Sequence, residues 1–372
     1  MSSTPKILLD AAIKNQIALD QYSHHLDRRI QLLLRDVEGE IIGIVAKNDP
    51  TFPTMTEWKL KRLAALNKQI EKILTQSFGN IDASTKESLL SVAELQAEYA
   101  VKSFNRAVSV DLFQVTLTHT DLKAIVENTL IDGKVIGQWW AKQSDDLKNR
   151  ISASMTEAVT KIQIGMVQGE GIADLVGRIR GNKHWVPIMN LSRQHAEALV
   201  RTSVMSVANA ARMEVYKANA DVLSGYEWIS TLDNRTTTQC AALDKKRFDL
   251  DLKPIDHDIA YPGCPAHWNC RSLICPVTKT WAELVGSNGR SKKQISQLRN
   301  IPKEERASMG ETIPSQTYDQ WLRSQSESTQ TEILGPGRFD LWKRNKLDMA
   351  DLVDNSGNLI PLAELKKRLT VK

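Results

Sequence analysis

The sequence predicts an α+β protein, predominantly α-helical, in which long helices are joined to a small loop-rich β-containing module. Three observations predict it. Apolar residues recur at three- and four-residue intervals through residues 7–221, the period of a helix. At residue 225 the period drops to two. All four cysteines of the 372-residue chain then fall between residues 233 and 276.

The helices can be taken in order. Ile13, Ile17, Leu26, Ile30, Leu33, Leu34, Val37 and Ile41 predict a first helix over 7–47, broken by Asn48-Asp49-Pro50 and Phe52-Pro53. Thr54-x-x-Glu57 reads as a capping box, followed by Leu60, Leu63, Ile70, Ile73 and Leu74 on one face. Gly79-Asn80 is expected to end that helix. A third, over 84–107, carries Leu89, Val92, Leu95, Tyr99 and Phe104. Residues 119–142 predict a short helix, a turn at Gly133 and a Trp139-Trp140 pair that anchors two helices. Asp145 opens a helix with Leu147, Ile151, Met155, Ala158 and Ile162, loosened at its end by Gly165, Gly169 and Gly171. A short helix over 172–180 and a long Ala- and Val-rich one over 192–221 follow.

From 225 to 231, Tyr226, Trp228 and Ser230 alternate with Glu227, Ile229 and Thr231, a strand signature. Residues 246–250 and 272–278 are further short strands, separated by loops bearing Pro254, Pro262 and Pro265. Residues 285–315 are polar and read as a linker or arm. Ile333, Leu334, Phe339, Leu341, Leu347, Leu352, Leu362 and Leu365 then predict a last helical unit with a small core, and Trp321 and Trp342 are spaced like interface anchors.

Composition bounds the function. Net charge is +5, mildly basic. Basic residues cluster at 290–306, 338–346 and 366–368; they read as solvated surface, with phosphate contacts to nucleic acid as the functional alternative. No apolar run approaches the ~18 residues of a membrane span. The start lacks a signal-peptide pattern, so a cytosol-like compartment with reduced or metal-bound thiols is expected. No phosphate-binding glycine loop or paired Glu-x-x-His is present.

Cys264-Pro-Ala-His267-Trp-Asn-Cys270 places two thiols and an imidazole near one another, with Cys240 upstream and Cys275 downstream. Three readings stand: a tetrahedral zinc site, which accepts S and N ligands; buried thiols with a turn histidine; and a catalytic Cys–His pair, for which no orienting Asn or Asp is placed by spacing. A loop-rich module buries little apolar area for its length, so a metal staple has a physical role there. For the zinc reading, Cys264 is preferred to Cys275 as fourth ligand because it shares a turn with His267. Asp233, Arg235 and Thr236 read either as a catalytic acid with a phosphate-binding arginine, or as a turn in which Asp233 caps backbone amides and Arg235 bridges to a carboxylate. Arg201 lies in an Ala-rich helix, where a buried charge must be paired, and Asp233 is its expected partner.

The series Arg201-Thr202, Gly225-Tyr226-Glu227-Trp228, Ser230-Thr231-Leu232-Asp233-x-Arg235-Thr236-x3-Cys240-x2-Leu243-Asp244 and Pro265-x-His267-x2-Cys270-Arg271 resembles the phage Mu F-like family of minor head proteins. The resemblance covers roughly residues 135–280, and the string around Trp321, Gln330, Gly335, Arg338 and Trp342 is similar to the C-terminal extension of many members. It carries over Cys240, His267 and Cys270 directly. Many members read Cys-Arg-Cys where this chain has Cys270-Arg271-Ser272, and Arg-Thr-Glu where it has Arg201-Thr202-Ser203. The first departure leaves Cys264 or Cys275 to replace a thiol.

The resemblance implies a minor capsid protein of a tailed phage, not an enzyme, made in the host cytoplasm and held in small copy number inside the capsid near the portal vertex. Its implied partners are the portal protein, the inner capsid surface and packaged DNA, with contacts between its own copies a further option. The implied roles are head morphogenesis, DNA packaging or ejection. The alternatives are a zinc-dependent nuclease or toxin-like enzyme and a nucleic-acid-binding module delivered with the genome. The expected division is a helical region at 1–134, a core at 135–280 containing the Cys/His module at 222–280, a linker at 281–315 and a helical extension at 316–372.

Overall fold

The structure is a computed structural model that describes residues 3–47, 57–114, 117–163, 172–184, 186–286, 296, 298–311, 315–344 and 347–370. Among these are 13 α-helices and two small antiparallel sheets. The breaks at 48–53, the cap at Thr54, the glycines at 165–171 and the basic residues Arg290, Lys292, Lys293 and Lys346 lie outside the described residues.

Helix α1 spans Thr4–Lys47 and α2 spans Glu57–Val108. The expected break at Gly79-Asn80 does not occur. A helical glycine costs only about 1 kcal/mol relative to alanine, whereas burying each apolar neighbour contributes roughly 1.5–3 kcal/mol. Leu74, Phe78 and Ile81 flank Gly79 and are all buried, so the helix continues through it. Helix α3 (His119–Asn128) leads into a hairpin of β1 (Leu130–Ile131) and β2 (Lys134–Val135). Its turn needs left-handed backbone at Asp132 and Gly133, the latter as expected. Helix α4 (Ile136–Gln163) starts nine residues before Asp145, because the hairpin returns the chain directly into it. The tryptophan pair therefore sits in its first turns. Trp140 is buried against Phe78, ring centroids 6.3 Å apart, and the Trp139 indole donates to the Ile131 carbonyl at 2.8 Å. Helices α5 (Ile172–Arg180) and α6 (Ile188–Ala218) follow.

The described residues fall into two compact units. One comprises Asp20–Ser91 and Val126–Val204. Its buried stripe on α1 runs Leu26, Ile30, Leu34, Val37, Ile41 and Val45. Polar ties include Tyr22 to the Ser88 carbonyl at 3.1 Å, Lys148 to Glu71 at 2.9 Å, and Arg193 to Glu38. Arg201 belongs here and pairs with Asp20 at 3.1 Å and Glu197 at 3.5 Å, not with Asp233 as expected. The local i,i+4 geometry on α6 supplies one of these partners at no cost in chain ordering.

The other unit comprises Met1–Leu19, Val92–Ile125 and Met205–Lys372. Its sheet runs β5-β4-β3-β6, all antiparallel, from β3 (Leu223–Ile229), β4 (Arg247–Phe248), β5 (Pro254–Ile255) and β6 (Leu273–Thr278). Strand β3 ends at Ile229, two residues short of the alternating pattern, and β5 is an additional strand. Every residue of β6 and all but one of β3 are buried, so this alternation does not mark a solvent face. Glu227, fully buried, lies 3.6 Å from Lys245. Leu9 and Ala12 of α1 pack on Ile229, Leu273 and Cys275 of this sheet. By contrast, Ile13, Ile17 and Leu95, expected on buried stripes, are 46%, 54% and 60% exposed.

Helix α7 (Thr238–Leu243) lies between β3 and β4, and α8 (Trp281–Gly286) follows β6. The expected arm is not extended where it is described. Leu298, Ile301 and Met309 are buried around α9 (Lys303–Ser308), and the Gly310 amide donates to Thr278 at 2.8 Å. The last helices are α10 (Tyr318–Ser324), α11 (Glu327–Leu334), α12 (Pro336–Arg344) and α13 (Leu362–Thr370). Of the expected core residues Leu334, Leu347, Leu352 and Leu365 are buried together, joined by Tyr318, Leu322 and Ala241 of α7, while Ile333, Phe339 and Leu341 pack against them only partly buried. Trp342 is not an exposed anchor: it is 1% exposed in this core, and its indole donates to Asp319 at 2.9 Å.

Two glycines give opposed expectations. At Gly79 an added Cβ meets nothing within 4 Å, so Gly79→Ala should raise stability to urea by about 0.5–1 kcal/mol. At Gly225, in a left-handed conformation at a register shift of β3, an added Cβ would lie 2.2 Å from the Phe248 carbonyl oxygen, so Gly225→Ala should lower it by more than that. Equal effects in urea titrations would contradict this account of both sites.

Candidate metal centre

Strand β3 delivers the chain into a tight turn at 231–236. Asp233 Oδ1 accepts from the Arg235 amide at 3.0 Å, and Thr236 Oγ1 donates to the Thr231 carbonyl at 2.5 Å. This is the turn expected of an Asx residue. Arg235 itself is 70% exposed, with Nε 3.9 Å from Asp233. Thr237 then caps α7, accepting from the Cys240 amide at 3.3 Å, which turns the Cys240 side chain into the module.

The second segment returns from β5 through Tyr261 to β6. The His267 carbonyl accepts from the Cys270 amide at 3.1 Å, and Asn269 takes a left-handed conformation. That tight turn brings His267 and Cys270 to one side. His267 Nε2 lies 3.2 Å from Cys240 Sγ and 3.0 Å from Thr237 Oγ1, and the two sulfurs are 3.7 Å apart. The ligand atoms of Cys240, His267 and Cys270 all lie within 4.8 Å of one another, a group that could hold a metal ion.

The donor set fits a metal. His267 Nδ1–H is engaged by the Trp268 carbonyl at 2.9 Å, which leaves Nε2 as the ring nitrogen that faces the sulfurs. Metal-ligating histidines characteristically donate their other ring N–H in this way. Cys270 is held well below the usual thiol range by the hydrogen bond from Cys240, against burial, with His267 adding to the effect. Its bond to Cys270 and burial push the Cys240 thiol up, and His267 is raised chiefly by its own bond to Cys270. One thiolate is thus favoured beside an imidazole and a second thiol, the state from which thiolate ligation starts.

The other two cysteines are placed differently. Cys264 Sγ donates to the Ser272 carbonyl at 3.3 Å, and Cys275 lies opposite Glu227 in the sheet. Burial pushes both thiols up, toward the neutral form. Neither joins the group of three.

The residues around this group tie its two segments together. Arg271, next to Cys270, donates to both oxygens of Asp233 at 2.5 and 2.7 Å. Burial alone would raise Asp233, but these bonds and the guanidinium charge hold it below the usual carboxylate range. Asp244, at the end of α7, accepts from the Ser230 amide and the Tyr318 amide, both at 2.8 Å. Ser230 Oγ donates to the Cys240 carbonyl at 2.6 Å, and the Tyr318 hydroxyl to the Asp233 carbonyl at 3.0 Å. Sequence reasoning assigned no role to Thr237, Ser230, Asp244 or Arg271. A threonine is a favoured N-cap residue, and its place just before a short helical run could have found Thr237; the Asp233–Arg271 pair has no local signature.

Residues 156–275 match the family described as Phage Mu protein F like protein, a span that contains the turn, α7 and all three grouped ligands and that bears out the resemblance read from the sequence. No curated protein and no solved structure matches the chain.

The clasp makes a pH expectation. Because folding lowers the Asp233 pKa, its stabilisation is fully present above the unfolded value near 3.8 and is lost as pH falls through the lower folded value. The stability difference between the native chain and Asp233→Asn should stay constant from neutral pH to about 5 and close below about 3.8. A difference unchanged down to pH 2.5 would show that the carboxylate charge does not contribute.

Proposed function

We propose that this chain is a minor head protein of a tailed phage, bound at the portal vertex inside the capsid and aiding head morphogenesis, DNA packaging or ejection. The observation that carries the reading is the family match over residues 156–275, a family of phage head proteins. In this reading residues 135–280 form the family core around a structural zinc held by Cys240, His267 and Cys270. The helical segments at 1–134 and 316–372 flank it and supply the docking surfaces. Exposed Ile13, Ile17 and Leu95 suit such a role, since apolar side chains left in water gain by burial against a partner.

The zinc assignment rests on donor chemistry: two sulfurs and one imidazole nitrogen in one group, with His267 Nε2 turned to the sulfurs and Nδ1 held by the Trp268 carbonyl. With Cys264 directed to the Ser272 carbonyl, the fourth position falls to a ligand outside the four cysteines, such as water. An open position by itself is also a feature of catalytic zinc. What argues against the nuclease or toxin-like alternative is the rest of the site. Asp233 is occupied by Arg271, and the polar contacts of His267 beyond the sulfurs are Thr237 and a backbone carbonyl. A hydrolytic metal site needs a general base near the bound water.

Direct DNA binding draws less support than protein docking. Lys343 pairs with Glu327, Arg344 with Asp340 at 2.5 Å, and Arg368 with Glu364 at 2.6 Å. The Arg306 guanidinium donates to the carbonyls of Ile301 and Arg299. Phosphate contacts would have to compete with these partners.

Protein purified in reduced form should hold about one zinc per chain, and Cys270→Ser should lose it and make residues 225–280 the first region cleaved in limited proteolysis. Four freely titratable thiols in metal-free native protein, with unchanged protease resistance in the variant, would refute the staple. Incubation of the zinc-loaded chain with DNA, RNA or peptides should give no turnover; turnover abolished by His267→Ala would favour the enzyme. Hydrogen exchange with and without the portal protein should show new protection within residues 1–110 or 315–372. Protection confined to 225–280 would move the interface to the metal module.

A further inference from the structure

Arg212 lies on α6 in the same unit as the sheet and is 3% exposed. Its guanidinium donates to Gln96 Oε1 at 2.7 Å and to Asn209 Oδ1 at 2.9 Å. Both acceptors are neutral amides. Their own amide groups are engaged, Gln96 with Asn15 and Asn209 with the Cys264 carbonyl. Among the described residues Arg212 has no carboxylate at ion-pair distance and its Nε–H has no hydrogen-bond partner; the buried Glu227, opposite Cys275 of the lining, is itself met by Lys245 at 3.6 Å. A guanidinium removed from water is costly unless its charge is met, and amide oxygens satisfy donors without cancelling charge.

Beside it is a cavity of about 10 Å³, lined in part by Arg212, Asn15, Tyr99, Ser103, Tyr216 and Cys275. That is room for about one monoatomic or water-sized occupant. The Ser103 hydroxyl is spent on the Ala100 carbonyl at 3.3 Å, so the donors left to an occupant are the phenols of Tyr99 and Tyr216 and the unpartnered Nε–H of Arg212. Burial pushes both Tyr99 and Tyr216 well above the usual phenol range, so neither supplies a phenolate counter-charge. Leu8 and Ala12 of α1 close one side, so the site depends on α1 seated on the sheet.

We propose that this cavity binds a single small monovalent anion, a halide such as chloride, that supplies the counter-charge for Arg212 and thereby fastens α1 and α2 to α6 and the sheet. The proposal is independent of the metal centre. Water would satisfy the donors without neutralising the charge, and a polyatomic anion such as phosphate exceeds the space. The site selects its ligand by charge and size together.

The test uses the full chain at constant ionic strength, with chloride exchanged against gluconate, which is too large to enter. Chloride should raise the melting temperature saturably, by about 1–3 °C, as expected for a ligand that binds only the folded state. Arg212→Met should abolish the chloride dependence. Should that variant fail to fold, the native chain still decides the matter. Crystals grown in chloride should show a long-wavelength anomalous peak within hydrogen-bond distance of the Arg212 guanidinium. A melting temperature indifferent to chloride, or density there without anomalous signal, would identify the occupant as water and overturn the proposal.

Discussion

Asp233 holds Arg271 through two hydrogen bonds of 2.5 and 2.7 Å, and the grouping of Cys240, His267 and Cys270, which could hold a metal ion, depends on that pair. Asp233 lies at the exit of β3, four residues before the cap of α7; Arg271 follows Cys270 directly and precedes β6. The pair therefore clamps the two segments that carry the sulfur and imidazole ligands, 30 residues apart for the two sulfurs. A bidentate guanidinium–carboxylate contact fixes orientation as well as distance. The β3–β6 ladder brings the two segments alongside one another as far as Ile229 and Leu273, and the Asp233–Arg271 pair fixes them beyond its end, which lowers the loop entropy opposing the approach of Cys240 and Cys270.

The same logic extends outward through Asp244. Its two oxygens accept one amide from the end of β3 and one from the start of α10, so a single carboxylate ties strand, helix α7 and C-terminal extension. Burial raises Asp244 above the usual range, and the two amide bonds only partly offset this. The shared core of Ala241, Tyr318 and Trp342 adds apolar burial to the same joint. This explains why the extension is not a separate appendage: α7 is too short to bury its apolar face against the small sheet alone, and the last helices cover it.

Buried charge recurs in this unit. Glu227 is met by Lys245, and Arg212 by amides and a small cavity. The two strands buried along nearly their whole length, β3 and β6, would otherwise be well served by aliphatic residues. Polar groups kept there specify one arrangement, because each misplacement would strand a charge in a medium that cannot solvate it.

Local periodicity in the sequence made the helical class legible, and with it the strands at β3 and β6, the hairpin glycine and the apolar residues of the C-terminal core, since each depends on neighbours within a few residues. The proximity of His267 and Cys270 was legible because their turn is local, and Cys240 because the family resemblance carries it; the expected place of Cys264 beside them was not what the structure forms. What only the tertiary structure decided has long-range causes. Gly79 stays helical because Phe78 and Ile81 are buried on either side of it. Ile13 and Ile17 satisfy the helix period yet face outward, because amphipathic spacing marks a stripe but not what covers it. Arg201 found Asp20 and Glu197, Asp233 found Arg271, and Cys264 donates to the Ser272 carbonyl and is not among the three grouped residues. Charge and ligand pairing follow from distance in space, and a sequence states distance only along the chain.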